Sequence, residues 1–253
     1  MNPNGDVNIS IVNRIATIEF YHPSSNALPG NVLRKLADTI ESAGKDDNVS
    51  VIILKSGGDR AFCAGASFDE LISITDFPTG KKFFMGFALV INAMRKCPKF
   101  IICRVQGKAV GGGVGLLSAA DYTLATKYSS VKLSELALGI GPFVVGPAVE
   151  RKIGTSAFAQ MSIDYEWYDA NWARERGFYA QVFESIDELD NATLEFATKM
   201  AENSPEAMAD LKRVTWSGTD DWDNLLESRA EISGRLVLSE FTKNYIKKFK
   251  DKA

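Results

Sequence analysis

Ala61-Phe62-Cys63-Ala64-Gly65-Ala66 and Gly107-Lys108-Ala109-Val110-Gly111-Gly112-Gly113-Val114-Gly115 each follow a strand-like run, Val51-Ile52-Ile53-Leu54 and Phe100-Ile101-Ile102-Cys103-Arg104-Val105 respectively. Short apolar runs without polar alternation suit strands covered on both faces, as in parallel sheets. A helical pattern comes after each, over Gly80 to Lys96 and over Gly112 to Ala120. The order strand, small-residue loop, helix therefore repeats, which predicts an α/β fold.

Before the first run, Asn8 to Val12 and Ile15 to Phe20 read as two short strands around Asn13-Arg14, a hairpin-like opening. Pro23 to Pro29 breaks the pattern, and Val32, Leu33, Leu36, Ile40 and Ala43 then recur at helical spacing, predicting an amphipathic helix from Asn31 to Ala43. After the second run, Tyr122 to Ala125 and Val131 to Leu133 read as strands. Past Gly146 the stretches 148–153, 156–162, 170–176, 189–203, 205–216 and 225–249 look helical, with Pro205 where a first helical turn tolerates it. The reading is an α/β core over residues 1–185 and a helical C-terminal region over 186–253, with no low-complexity linker between them. The helical region is expected to pack on the core or on a neighbouring subunit.

Composition narrows the function classes. At 253 residues, 45% hydrophobic and 24% charged, the chain suits one large soluble domain, or one with an appended helical segment. A net charge of −3 supplies no general basic field, so nucleic acid is not expected as a partner. Lys243, Lys247, Lys248, Lys250 and Lys252 form a local basic tail, either a solvated helix end or a surface for ligand phosphates. Three cysteines (Cys63, Cys97, Cys103) and a single histidine, His22, form no metal-ligand spacing and suit reduced thiols in the cytoplasm. The start Met1-Asn2-Pro3-Asn4-Gly5-Asp6 lacks an export pattern and no apolar stretch reaches spanning length, so no membrane partner is expected.

The glycines carry the chemical signal. Ala64, Gly65 and Ala66 keep the first turn open to a ligand lying against backbone, although a plain tight turn has the same composition. Gly111-Gly112-Gly113 at a helix start is harder to explain blandly, because each glycine costs roughly 0.5–1 kcal/mol against alanine in regular structure. A helix N-terminus offers unpaired N–H groups and positive partial charge, so Gly112 is placed to meet an oxygen that becomes negative during a reaction. The segment lacks the lysine and hydroxyl of a nucleoside-triphosphate loop, and its spacing is wrong for a dinucleotide fingerprint. Glu135, a short way beyond, is a candidate proton carrier; by residue type alone it is also a capping or ion-pair residue. Asp69 and Glu70 read as a helix start or as the mouth of a pocket. Asp164, Glu166 and Asp169 read as surface and cap residues, His22 as structural, and Cys63 as a small buried residue.

Taken in order, Pro23 with Asn26-Ala27-Leu28, the segment Ala61 to Ala66, Val105-Gln106-Gly107, Gly111-Gly112-Gly113, Ala120-Asp121-Tyr122, Leu133 to Ile140, Pro142 and the closing Ser239-Glu240-Phe241 with Phe249 resemble the crotonase superfamily, the enoyl-CoA hydratase/isomerase family. The likeness runs nearly end to end. It implies a spiral of ββα units forming two packed sheets, a C-terminal region used for trimer contacts, assembly as a homotrimer or a dimer of trimers, and acyl-CoA thioester substrates. No metal or separate cofactor is implied, coenzyme A entering as part of the substrate. The N–H groups of Ala66 and Gly112 match the pair that holds the thioester oxygen. Ser24, Ser25, Ala64, Gly65 and Gly111 match positions that line the CoA and acyl site, and Phe68, Leu71, Phe143 and Val144 are expected to form an apolar wall. Asp121 matches a structural aspartate that ties a helix end to the next strand, and Lys247 to Lys252 is similar to tails that approach a neighbour's CoA.

Family hydratases hold water between two glutamates. The first of those positions is Gly115 here, and only the second, Glu135, remains. Ser67 stands where many members carry aspartate. Glu135 with Leu138-Gly139-Ile140 and Pro142-Phe143 is similar to the corresponding loop of Δ3,Δ2-enoyl-CoA isomerases. The resemblance thus implies double-bond isomerisation, with Glu135 moving a proton from C2 to C4 and the apolar wall raising its pKa toward neutrality. Hydratase or other lyase chemistry on an acyl-CoA, and non-catalytic acyl-CoA binding, are the alternatives.

Overall fold

A computed structural model describes residues 3–250, and of residues 249 and 250 only the backbone. The chain opens with strands β1 (Asp6–Val12) and β2 (Ile15–Tyr21), joined by a two-residue turn in which Asn13 and Arg14 take φ of 50° and 65°. Positive φ at both central residues is the turn whose twist matches antiparallel strands, and it sets the register Val12↔Ile15. The chain then repeats one unit: a long strand, a two- or three-residue strand, and a helix. The first unit is β2, β3 (Ala27–Leu28) and α1 (Gly30–Lys45). The second is β4 (Val51–Ser56), β5 (Gly65–Ala66), the short α2 (Phe68–Ile72) and α3 (Phe77–Lys96). The third is β6 (Phe100–Val105), β7 (Ala109–Val110) and α4 (Gly112–Ala119). The fourth has β8 (Tyr122–Thr126), β9 (Ser130–Lys132) and, after a loop, α5 (Gly146–Asp164).

The long strands make one sheet in the order β1-β2-β4-β6-β8-β11, the last being Gln181–Phe183; every pair but β1–β2 is parallel. The short strands form a second layer. β3 pairs with β5, a parallel bridge joins Cys63 to Ala109 beside them, and β7, β9 and β10 (Tyr168–Asp169) follow. Repeated ββα units of an α/β fold are what the paired runs and the family likeness led us to expect.

β4 reads as a continuous apolar run because both its faces are covered. Ile52 and Leu54 point into the main core with α1 and α3, while Val51 and Ile53 pack with Leu189 and Ala197 of α7 (Ile186–Ala201) on the opposite face. After α6 (Ala170–Glu175) and β11, the remaining helices are α7, α8 (Pro205–Thr215), α9 (Trp222–Leu236) and α10 (Glu240–Lys250). α9 lies along α3 of the same chain so closely that Gly80 and Gly234 face each other without room for a side chain, a Cβ on Gly80 meeting the Gly234 carbonyl oxygen at 2.9 Å. The stretches 148–153 and 156–162 belong to one helix, α5, bent at Gly154, whose φ of 79° and ψ of 158° leave the helical region.

Asp121 does more than join a helix end to a strand. Its carboxylate accepts from the Ile101 amide (2.8 Å) and from Trp216 Nε1 (3.0 Å), and pairs with the buried Lys212 ammonium (2.8 Å), fastening α8 to the sheet. Among the described residues no helix is long and apolar enough to cross a membrane. Of the basic tail, the side chain of Lys250 and residue Lys252 lie outside the described residues, as does the side chain of Phe249.

Candidate active site

The second layer brings the two glycine segments into contact. The amides of Phe62 and Cys63 donate to the Lys108 carbonyl (2.9 and 3.2 Å), and the Val110 amide donates to the Cys63 carbonyl (2.9 Å). The approach is close enough that several glycines are obligatory. A Cβ on Gly113 would lie 2.6 Å from the Cys63 carbonyl oxygen, and one on Gly112 would fall on the edge of the Phe87 ring. Gly65, at φ 95°, brings its Cα beside α4: a Cβ there would be 3.8 Å from the Gly112 amide nitrogen.

Pairing in β3–β5 determines which way the Ala66 amide points. Leu28 is the register partner of Ala66, and the Leu28 carbonyl accepts from the Ser67 amide at 3.0 Å. In a parallel pair a residue bonds to the neighbours of its partner, so the N–H of Ala66 is directed to the other edge of β5, away from β3. Ser67, where the family pattern has aspartate, acts locally. Its hydroxyl caps α2 by accepting from the Glu70 amide at 3.3 Å.

A cavity of about 480 Å³ lies beneath these segments. Ser24, Ala64, Gly65, Ala66, Phe68, Leu71, Gly111, Gly112, Glu135 and Phe143 all line it, as does Val144. Ser25 does not. Its side chain is exposed, and its carbonyl accepts from the Ala64 amide at 3.2 Å, so it shapes the turn at the rim. A slightly larger concavity, about 550 Å³ beside Arg60, Tyr128 and Asp187, is touched by none of Ala66, Gly112 and Glu135.

Glu135 precedes a short 3-10 turn, Leu136–Leu138, that ends on Gly139 at φ 79°. Its carboxylate lies against Gly111, so close that a Cβ there would be 2.8 Å from Oε1. Gly111 also has φ 50° as the cap of α4, a second reason for glycine. Although the residue as a whole is half-buried, Oε2 is closed off from solvent and has no hydrogen-bond partner among the described residues. Burial pushes the Glu135 carboxyl from 4.5 to about 7, against a smaller downward pull from the amides of Glu135 and Ser134. Asp69, the other carboxylate on the lining, is exposed at the rim. Glu70 turns away, accepting from the Gly30 amide at 2.9 Å to cap α1.

This burial has a measurable cost to the fold. The folded-state pKa lies above the unfolded one, so the contribution is intact below pH 4.5 and lost as pH rises through about 7. Glu135→Gln, neutral at every pH, should therefore be the more stable protein at pH 8 by about 3 kcal/mol, the gain falling below about 1 kcal/mol at pH 5. Denaturant unfolding of both proteins at the two pH values checks this, and an equal gain at both would mean that Glu135 is ionised and accommodated throughout.

Some wall residues carry no sequence signal. Phe83, Phe84 and Phe87 of α3 and Ser233 of α9 line the cavity, yet their spacing marks only helices. His22 lines it too; its Nδ1 accepts from the Ser24 amide (3.3 Å), and burial lowers its pKa while Asp69 and Glu70 oppose the shift. Asp169 caps α6 through the Trp172 amide (2.8 Å), and Asp164 accepts from Tyr168 Oη. Cys63 is fully buried and its thiol is pushed up to about 12 by burial.

Comparison with known proteins places this architecture. A family model described as enoyl-CoA hydratase/isomerase matches residues 10–249. The chain belongs to the enoyl-CoA hydratase/isomerase family. Within that family it is 26% identical to a probable enoyl-CoA hydratase of Bacillus subtilis, over 97% of this chain and 96% of that one. It is 28% identical to the peroxisomal Delta(3,5)-Delta(2,4)-dienoyl-CoA isomerase of Arabidopsis thaliana, over 75% and 72% of the two chains. A putative enoyl-CoA hydratase structure from Mycobacterium avium paratuberculosis superposes with a TM-score of 0.87 at 25% identity, covering 97% of this chain and 96% of that one. Both reaction types thus occur among family members similar to this chain.

Proposed function

We propose that this member of the family is an enoyl-CoA isomerase, moving a C3=C4 double bond of an acyl-CoA thioester to C2=C3. The observation that carries the reading is the state of the position where hydratases keep their other glutamate. Gly115 stands there, and the space a side chain would need is already filled: a Cβ on Gly115 would lie 2.6 Å from Val145 Cγ1 and 3.5 Å from Ile91 Cδ1. Among the described residues that line the cavity, Glu135 is left as the one enclosed carboxylate, Asp69 being exposed at the rim.

In this mechanism the thioester oxygen sits between the N–H groups of Ala66 and Gly112. Glu135 takes a proton from C2, and the C–H electron pair spreads over C2 to C4 and onto the thioester oxygen, where the two amides meet the negative charge. The neutral acid then returns the proton to C4, leaving C2=C3 conjugated with the carbonyl. A carboxyl with pKa about 7 is matched to both halves of the cycle. The homotrimer or dimer of trimers implied by the family likeness, and the cytoplasmic setting suggested by the cysteines and the N-terminal sequence, belong to the same proposal. The deciding experiment incubates the purified protein with 3-enoyl-CoA and, separately, with 2-enoyl-CoA. Migration without 3-hydroxyacyl-CoA supports the isomerase, and steady 3-hydroxyacyl-CoA production from 2-enoyl-CoA overturns it in favour of a hydratase.

Restoring the second acid should not by itself restore hydration. Gly115→Glu is expected to lose about 1–3 kcal/mol by overpacking against Val145 and to produce no 3-hydroxyacyl-CoA. Adding Val145→Ala should recover much of that loss in a thermal melt. A stable Gly115→Glu protein that hydrates 2-enoyl-CoA would show that this space is open after all.

A further inference from the structure

We propose that Phe83 is the partition that sets the length of acyl chain this protein accepts, dividing the site from a second chamber into which longer chains would run. The proposal rests on the acyl-CoA reading above and concerns the far end of the same ligand. Phe83 lines the 480 Å³ cavity, and it also lines a separate cavity of about 460 Å³ between α1 and the α2–α3 segment. Among the described residues no other lines both, so the two spaces meet at this one ring. One wall of the second chamber is apolar, with Ile74, Met85 and Leu89; Glu70, its carboxylate held by the Gly30 amide, lies on another, and the exposed Arg34 and Lys82 stand at the rim. An apolar wall beside a carboxylate already satisfied by a backbone amide leaves a path for a hydrocarbon tail entering from the Phe83 side.

The ring is held where it blocks passage. It packs edge-on against Phe84, centroids 5.0 Å apart with planes at 89°, and joins the cluster formed by Leu71, Ile140 and Val237. Those three residues come from α2, the Glu135 loop and the turn after α9, so the partition is fixed from three sides. A chain that ends before the ring gains from each methylene it buries. One that reaches the ring meets packed aromatic surface and gains nothing more.

Saturated acyl-CoAs from butanoyl to dodecanoyl, which bind without reacting, read this directly by calorimetric titration. For the natural protein, affinity should rise by up to about fourfold per added methylene and then level off within the series. In Phe83→Ala the rise should continue through dodecanoyl-CoA. Leu89→Trp, which narrows the second chamber without touching the site, should leave butanoyl-CoA affinity unchanged, and added to Phe83→Ala it should bring the levelling-off to a shorter chain than in Phe83→Ala alone. Identical length profiles for the natural protein and Phe83→Ala, or no plateau in the natural protein, would overturn the partition. Failure of butanoyl-CoA to bind the natural protein would instead strike at the acyl-CoA reading itself.

Discussion

Glu135→Gln should slow the conversion of 3-enoyl-CoA to 2-enoyl-CoA by roughly 10²–10⁴-fold, the usual worth of a positioned acid–base group. The substitution keeps the size of the side chain and removes only its capacity to take a proton. Affinity for a non-reacting acyl-CoA should therefore stay within a few-fold, so that the loss appears in kcat. The same assignment sets a pH profile: proton removal needs the carboxylate, so kcat/KM should fall as pH drops through about 7, well above the ordinary value of 4.5. Appearance of the conjugated thioester, followed by absorbance, measures both. An undiminished rate in the variant would move the base elsewhere, and Asp69 at the rim would be the next carboxylate to test.

Gly112→Ala should cost roughly 10²–10³-fold in kcat, the loss typical when one oxyanion donor is removed. The peptide N–H survives this substitution, so the effect must come from position. The new methyl falls on the edge of the Phe87 ring, and either the ring or the first turn of α4 has to shift. Because Phe87 is buried among α1, α3 and α4 residues, the turn is the part expected to yield, carrying the amide out of line. Gly112→Ala combined with Phe87→Leu, which shortens the obstructing side chain, should then recover a large part of the rate. Full activity in the single variant would mean that the amide of residue 112 carries no developing charge.

The causes of these two effects differ in how visible they are in the primary structure. Glu135, Gly111 and Gly112 stand out because a carboxylate shortly beyond a glycine-opened helix fits enolate chemistry well, and the order of landmarks around them is family-specific. Val145 and Phe87, which decide what Gly115 and Gly112 can become, do not stand out. Each belongs to an ordinary apolar stretch, and its role depends on a contact with another element. Ser25 shows the opposite case: its place in the motif suggests the lining, but local turn geometry turns its carbonyl to Ala64 instead.

Periodicity and small-residue turns were enough to establish repeated strand–helix units, because hydrophobic spacing reports directly which faces are buried. They also singled out two glycine-rich turns and one carboxylate as candidates for chemistry. Three-dimensional packing settled the rest: α9 lies against α3 of its own chain, α7 covers the back of the sheet, and Glu135 has an oxygen shut away without a partner among the described residues. Burial of that kind is produced by residues far apart in the chain meeting around one side chain, and no local pattern records such a meeting.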